Sequence, residues 1–186
     1  MKPVVIYSSR TGNTRKVAEA VLSGLPEGTP MIAAKDIPQI AEYDVVFMGF
    51  WVDKGTADLT AQEAMAKISG KMVAIFSTSG AYPDSRHARD SLANGASCFG
   101  EDCIVLGAFI CQGAVAPELI EQAKQRPTDH HHALSPERIQ RWKDASSHPD
   151  GTDLENAVAF TRKIVEKAEK LIAMGSGDTR SKSYLV

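Results

Sequence analysis

The sequence predicts a doubly wound α/β fold: a five-stranded parallel sheet in the order 2-1-3-4-5 with helices on both faces. Two observations lead there. Four short stretches, 4–7, 45–50, 72–76 and 104–110, are nearly continuous in apolar residues. Strands covered on both faces look like this, whereas strands with one wet face alternate. The segments between them space their apolar residues three and four apart, as helices do. Strands alternating with helices give a parallel sheet with right-handed crossovers. In such a sheet ligands bind beyond the carboxyl ends of strands 1 and 3, where the winding direction reverses.

The elements follow in order. After the first strand, Val17, Ala18, Val21 and Leu22 share one helix face, and Gly24 supplies a stop. Met31 to Ala34 is a weaker strand. After the third strand, Ala61, Ala64, Met65 and Ile68 repeat the helical spacing up to Gly70. Asp84 is a cap candidate for a helix carrying Ala88 and Leu92. The last helix has Asp153 as a cap candidate and a stripe from Ala157 through Ile164 and Ala168 to Ile172. Residues 1–174 therefore read as one domain, and 175–186 as a polar, flexible tail. The segment at about 112–151 breaks the alternation. It holds Pro117, Pro127, Pro136 and Pro149 and two helical patches, 118–125 and 136–144. It reads as an insert after the fifth strand, beside the ligand edge, where long segments often act as lids.

The composition excludes several classes. Of 186 residues 43% are hydrophobic and 24% charged, which is a globular balance. Twenty-one Lys and Arg against 23 Asp and Glu give a net charge of −2. That is no footprint for nucleic acid. No apolar run approaches the ~20 residues that span a bilayer, and the N-terminus turns polar too soon for a secretory signal. A cytoplasmic protein without a membrane role is expected. Cys98, Cys103 and Cys111 lack C-x-x-C spacing and read as reduced thiols.

The chemistry is concentrated after strand 1, in Ser8-Ser9-Arg10-Thr11-Gly12-Asn13-Thr14. A strand, a hydroxyl-rich turn and a helix start make an anion site, because first-turn N–H groups lack partners and the dipole there is positive. Gly12 lets the backbone come close. No G-x-x-x-x-G-K-[ST] or G-x-G-x-x-G is present, which disfavours nucleoside triphosphates and dinucleotides at this loop. A single phosphomonoester suits it best. The alternative is a hydroxyl-rich helix cap without a ligand.

Val5 to Thr14, followed by Ala18 and Val21, resembles the flavodoxin signature, and the element order agrees over about 2–110 and 153–173. Gly49-Phe50-Trp51 also resembles the BilS-type branch of that family. The resemblance implies FMN, with its phosphate in the 8–14 loop. It implies two further FMN loops. One is Phe50, Trp51, Val52, Asp53, Lys54 and Gly55, where Trp51 is the candidate aromatic wall for the flavin. The other is Thr78, Ser79, Gly80, Ala81 and Tyr82, where Tyr82 covers the other face and the backbone bonds the ring's polar edge. The alternatives are a loop anchor for Trp51 and a plain surface tyrosine for Tyr82. In the family a glycine directly after the Trp loop carries the peptide that turns on reduction. Here Val52-Asp53-Lys54 intervenes before Gly55, and Lys54 departs from the family's acidic surroundings.

Other features are plainer. Cys111-Gln112-Gly113 ends strand 5 near the same edge, either lining the site or closing a buried strand. His130-His131-His132 reads as a solvated loop, since adjacent histidines converge poorly on one metal; no metal site is expected. Arg10 and Arg15 flank the loop, to neutralise a phosphate or to face solvent. No catalytic residue set is evident, so an electron carrier between a reductase and an acceptor protein is expected. The alternative is an FMN-dependent reductase of NAD(P)H, a quinone or another small molecule, with the 112–151 insert as lid. A phosphoacceptor receiver domain would need acidic residues at the ends of strands 1 and 3, where Tyr7-Ser8-Ser9 and Gly49-Phe50-Trp51 stand instead.

Overall fold

In the computed structural model, which describes residues 1–126 and 134–178, six strands and six α-helices are present among the described residues, with strands and helices interleaved up to β6. They are β1 (Pro3–Tyr7), α1 (Asn13–Ser23), β2 (Met31–Ala33), β3 (Val45–Asp53), β4 (Thr56–Ala57), α2 (Leu59–Met65), β5 (Met72–Ser79), α3 (Arg86–Ala96), β6 (Ile104–Gln112), α4 (Pro117–Lys124), α5 (Pro136–Ala145) and α6 (Gly151–Asp178). The parallel strands run β2-β1-β3-β5-β6, which is the expected 2-1-3-4-5 order. The short β4 is an addition that pairs antiparallel with the end of β3.

Alternate residues of each strand feed two cores. Val4, Ile6, Met48 and Phe50 pack with Ala61, Ala64, Met65 and Ile68 on the α2 side. Val5, Phe47 and Phe76 pack with Val17 and Val21 of α1 and Ile164 of α6 on the other side. Gly49 sits where a Cβ would lie 2.1 Å from the Phe76 ring, so only glycine lets that ring cross the strand. The register aligns the strand ends that carry the ligand edge: Tyr7 pairs Gly49, Trp51 pairs Thr78, and Thr78 pairs Cys111.

Several local expectations change. β3 runs three residues past Phe50, so Trp51, Val52 and Asp53 are strand residues and the turn is Lys54-Gly55. Ser85, not Asp84, caps α3, with its hydroxyl accepting from the Ala88 N–H at 3.2 Å. Asp150 and Asp153 divide the start of α6 between them. Asp150 Oδ1 accepts from the Asp153 N–H and Asp153 Oδ2 from the Asp150 N–H, each at 3.0 Å. That reciprocal pairing needs acceptors three residues apart, so the cap lies at Asp150. α6 continues to Asp178, past the expected domain end at 174. The insert forms α4 and α5 close to the expected patches, while the histidine run 130–132 lies outside the described residues. Among the described residues no helix is long and apolar enough to cross a membrane.

Candidate functional site

The carboxyl ends of β1, β3 and β5 meet beneath the start of α1. Ser8 begins the loop, tied down by its N–H donating to the Gly49 carbonyl at 2.8 Å. Gly12 stands at the helix start with φ of 92°, a left-handed conformation that a side chain would resist. No side chain caps α1 there. The Ser9 hydroxyl accepts from the Arg15 N–H at 3.3 Å. Among the described residues nothing in the chain accepts from the N–H groups of residues 11–14. A row of N–H groups at the positive end of a helix dipole is what an oxyanion uses.

Two contacts hold this opening in place. Thr14 is buried, and its hydroxyl meets that of Thr78 at 2.9 Å, joining α1 to β5. Asn13 donates its amide to the Ala114 carbonyl at 2.9 Å, joining α1 to the insert. Gly113 permits this approach, since a Cβ there would lie 3.0 Å from the Asn13 amide nitrogen.

Trp51 is half-buried near the end of β3, its position set by pairing with Thr78. The Arg10 guanidinium lies 5.7 Å from its ring centroid, within cation–π range. The hairpin closes through Lys54 and Gly55, with φ of 50° and 81°. Two positive φ values match the twist of a two-residue hairpin. Beyond β5, the Ser79 hydroxyl accepts from the Ala81 N–H at 3.1 Å. Gly80 is pressed beneath the insert: a Cβ there would lie 2.6 Å from Val115 and 3.5 Å from the Trp142 indole nitrogen.

These pieces enclose a cleft of about 260 Å³. The first loop contributes Arg10, Thr11 and Asn13 to its wall, and the hairpin Trp51, Val52, Asp53 and Lys54. The end of β5 adds Thr78, Ser79 and Gly80. Residues 113–116 and Leu119 of the insert complete it. The other candidate positions lie elsewhere. Ser8, Ser9 and Gly12 border a separate hollow, with Arg15 and Lys35. Thr14 lies underneath. Phe50 is fully buried, its ring within 2.6 Å of where a Cβ on Gly95 would stand. Gly55 is in the hairpin turn. Ala81 and Tyr82 line a second cavity, and the Tyr82 hydroxyl donates to Asp144 at 2.7 Å. Arg15 pairs with Glu19 along α1. Cys111 is buried, and burial pushes its thiol far up, so it stays protonated.

Asp58 escaped the sequence analysis. It is 3% exposed and caps α2, accepting from the Ala61 N–H at 3.3 Å. The same oxygen accepts from the Ser8 hydroxyl at 2.7 Å, and the Asp58 N–H donates to the Trp51 carbonyl at 3.2 Å. Asp58 thus braces the loop through its carboxylate and the Trp51 strand through its backbone N–H. The signal was present as an Asp just ahead of the Ala61-Ala64-Met65 stripe, a helix-cap pattern. Its second oxygen is buried without a partner. Burial raises its pKa, against the lowering effect of the bonds from Ser8 and Ala61.

A pKa raised by folding has a definite sign. The folded state holds the proton to higher pH than the unfolded one, so this group's contribution to stability is lost as pH rises through the folded value. Asp58→Asn abolishes the titration and keeps an acceptor for Ser8 and Ala61. Melting followed by circular dichroism should show less loss of stability in the variant than in the parent between about pH 4 and pH 8. A difference between the two that stays constant with pH would contradict the assignment.

A family model described as a flavodoxin domain matches residues 4–162. The chain belongs to the flavodoxin family. It is 31% identical over 178 residues to the flavodoxin-like domain-containing protein BilS of Clostridioides difficile (strain CD3), covering 90% of this chain and 98% of that one. It is 30% identical over 176 residues to the BilS protein of Clostridium symbiosum (strain WAL-14163), covering 83% and 90%. Oxidised Flavodoxin 2 from Bacillus cereus superposes with a TM-score of 0.58 at 15% identity, covering 90% of this chain and 99% of that one, a likeness of fold. Membership of the flavodoxin family bears out FMN as the cofactor. The residues present fit it. The uncapped opening of α1 suits its phosphate, and the cleft beside Trp51 offers an aromatic wall to a flat ring.

Proposed function

We propose that the protein is an FMN electron carrier between a reductase and an acceptor protein. The observation that carries this reading is that Arg10, Thr11 and Asn13 of the uncapped α1 opening line one cleft together with Trp51 at the strand ends. The bound flavin supplies the electron transfer itself. The chain's residues bind and orient it. Residues 9–14 receive the phosphate, Asn13 and Thr14 keep that loop against the insert and β5, and Trp51 walls the ring. Arg10 and Lys54 add positive charge and Asp53 negative charge along the cleft. The net field these three set tunes how readily the ring accepts charge.

A second reading, an FMN-dependent reductase of a small molecule, is favoured by one observation. The insert packs onto Gly80 through Val115 and Trp142 and forms one wall of the cleft. A wall of this kind shapes room for a substrate. The experiment is turnover by the purified, FMN-loaded protein alone. A carrier reduces no small acceptor at the expense of NADH or NADPH until a flavodoxin reductase is added, and then exchanges electrons quickly. Sustained oxidation of either nucleotide without a reductase would replace the carrier by the reductase reading.

A further inference from the structure

Beside the flavin cleft lies a cavity of about 480 Å³, framed by α4, α5 and the start of α3. Three guanidinium groups border it: Arg126 two residues past the end of α4, and Arg138 and Arg141 one turn apart on α5. Trp142 and Tyr82 supply aromatic surface. Among the described residues lining it none is acidic. The nearby Asp144 is engaged by the Tyr82 hydroxyl and by the Gln140 amide, each at 2.7 Å. The Arg141 Nε is buried without a hydrogen-bond partner, and the Arg138 guanidinium lies 5.9 Å from the Trp142 ring centroid. Burial, then repulsion from Arg141 and Arg126, lowers the Arg138 pKa, as expected of cations that share one space.

We propose that this cavity binds a small aromatic molecule carrying two or more oxyanion charges, and holds it next to the flavin. Arginine forks match carboxylate and phosphate oxygens in pairs, and Arg126 and Arg141 at one cavity suit more than one charge. The apolar wall of Trp142, Val115 and Leu119 suits a ring system. The volume is that of a small-molecule site rather than of a protein docking face. Ser79, Gly80, Val115 and Leu119 line both this cavity and the cleft, so its occupant adjoins the cofactor. That adjacency rests on the FMN reading; the charge and shape of the cavity do not. The oxyanions come either from phosphate groups or from carboxylates.

The test is calorimetric titration of the purified, FMN-loaded protein. Four probes are used: ADP, adenosine, naphthalene-2,6-dicarboxylate and 2-naphthoate. A phosphate ligand is indicated if ADP binds at least ten-fold more tightly than adenosine. A carboxylate ligand is indicated if the dicarboxylate exceeds the monocarboxylate by the same factor. Either preference should fall by at least ten-fold in the Arg138→Gln/Arg141→Gln variant. It should also weaken in Arg126→Gln, whose exposed position leaves folding undisturbed. Arg86→Gln, which alters an exposed arginine paired with Asp90, should change nothing. The proposal is overturned if neither preference appears, if Arg86→Gln has the same effect, or if the double variant loses its FMN absorbance. That last result would give the arginines to the cofactor. A parent protein that never takes up FMN would fail the cofactor reading instead, and the titrations would then judge the cavity by itself.

Discussion

Riboflavin is expected to bind this protein at least about 100-fold more weakly than FMN. The two differ only in the phosphate, so the ratio reads the 8–14 loop alone. A hydrogen bond to a charged group is worth about 1.5–3 kcal/mol. Two such bonds from the free N–H groups of residues 11–14 amount to about 3–6 kcal/mol, or two decades or more in affinity. The helix dipole adds to this. The backbone at Gly12 makes the arrangement, with φ of 92° turning the chain so that α1 opens uncapped. An L-residue in a left-handed conformation costs roughly 1–2 kcal/mol. Gly12→Ala should therefore lower FMN affinity sharply and leave riboflavin nearly unchanged, although a Cβ there meets no neighbour within 4 Å. Flavin fluorescence titration measures both ligands. Equal affinities in the parent protein would remove the phosphate from this loop.

Trp51→Ala is expected to weaken FMN binding by at least ten-fold, about 1.4 kcal/mol. The indole is half-buried on the cleft wall, and aromatic contacts are worth about 0.5–1.5 kcal/mol beyond the area they cover. The substitution spares the backbone: residue 51 still pairs with Thr78, and its carbonyl still accepts from the Asp58 N–H. Loss of affinity would therefore report the ring and not the strand. Trp51→Phe should retain most of the binding. It would also weaken the contact with Arg10, since indole holds cations better than benzene does. Unchanged FMN affinity in Trp51→Ala would take this residue out of the site.

What was legible beforehand divides along the distance over which each feature is encoded. The strands, most helices and the 2-1-3-4-5 order follow from local patterns, because burial on both faces demands continuous apolar runs. The hydroxyl-rich opening of α1 was legible for the same reason: seven consecutive residues build it. Local rules also misplaced some features. Phe50 and Trp51 are adjacent, yet the alternation of a strand sends Phe50 into the core against Gly95 and leaves Trp51 on the cleft. Reading a turn there hid that difference. The caps of α3 and α6 each moved to a neighbouring acceptor, Ser85 and Asp150, since several residues could serve and geometry selects one.

By itself the sequence determined the sheet and the hydroxyl-rich opening of α1 at its strand ends. Each depends on residues close along the chain, whose periodicity and turn chemistry act before any distant contact forms. The tertiary structure alone decided that Asp58 braces Ser8 and the Trp51 strand, that Asn13 reaches Ala114 across the fold, and that Arg126, just past α4, and two arginines of α5 converge beside Tyr82. Those contacts join residues up to 101 positions apart. Their existence depends on how helices and strand ends pack against one another, and no local pattern carries that information.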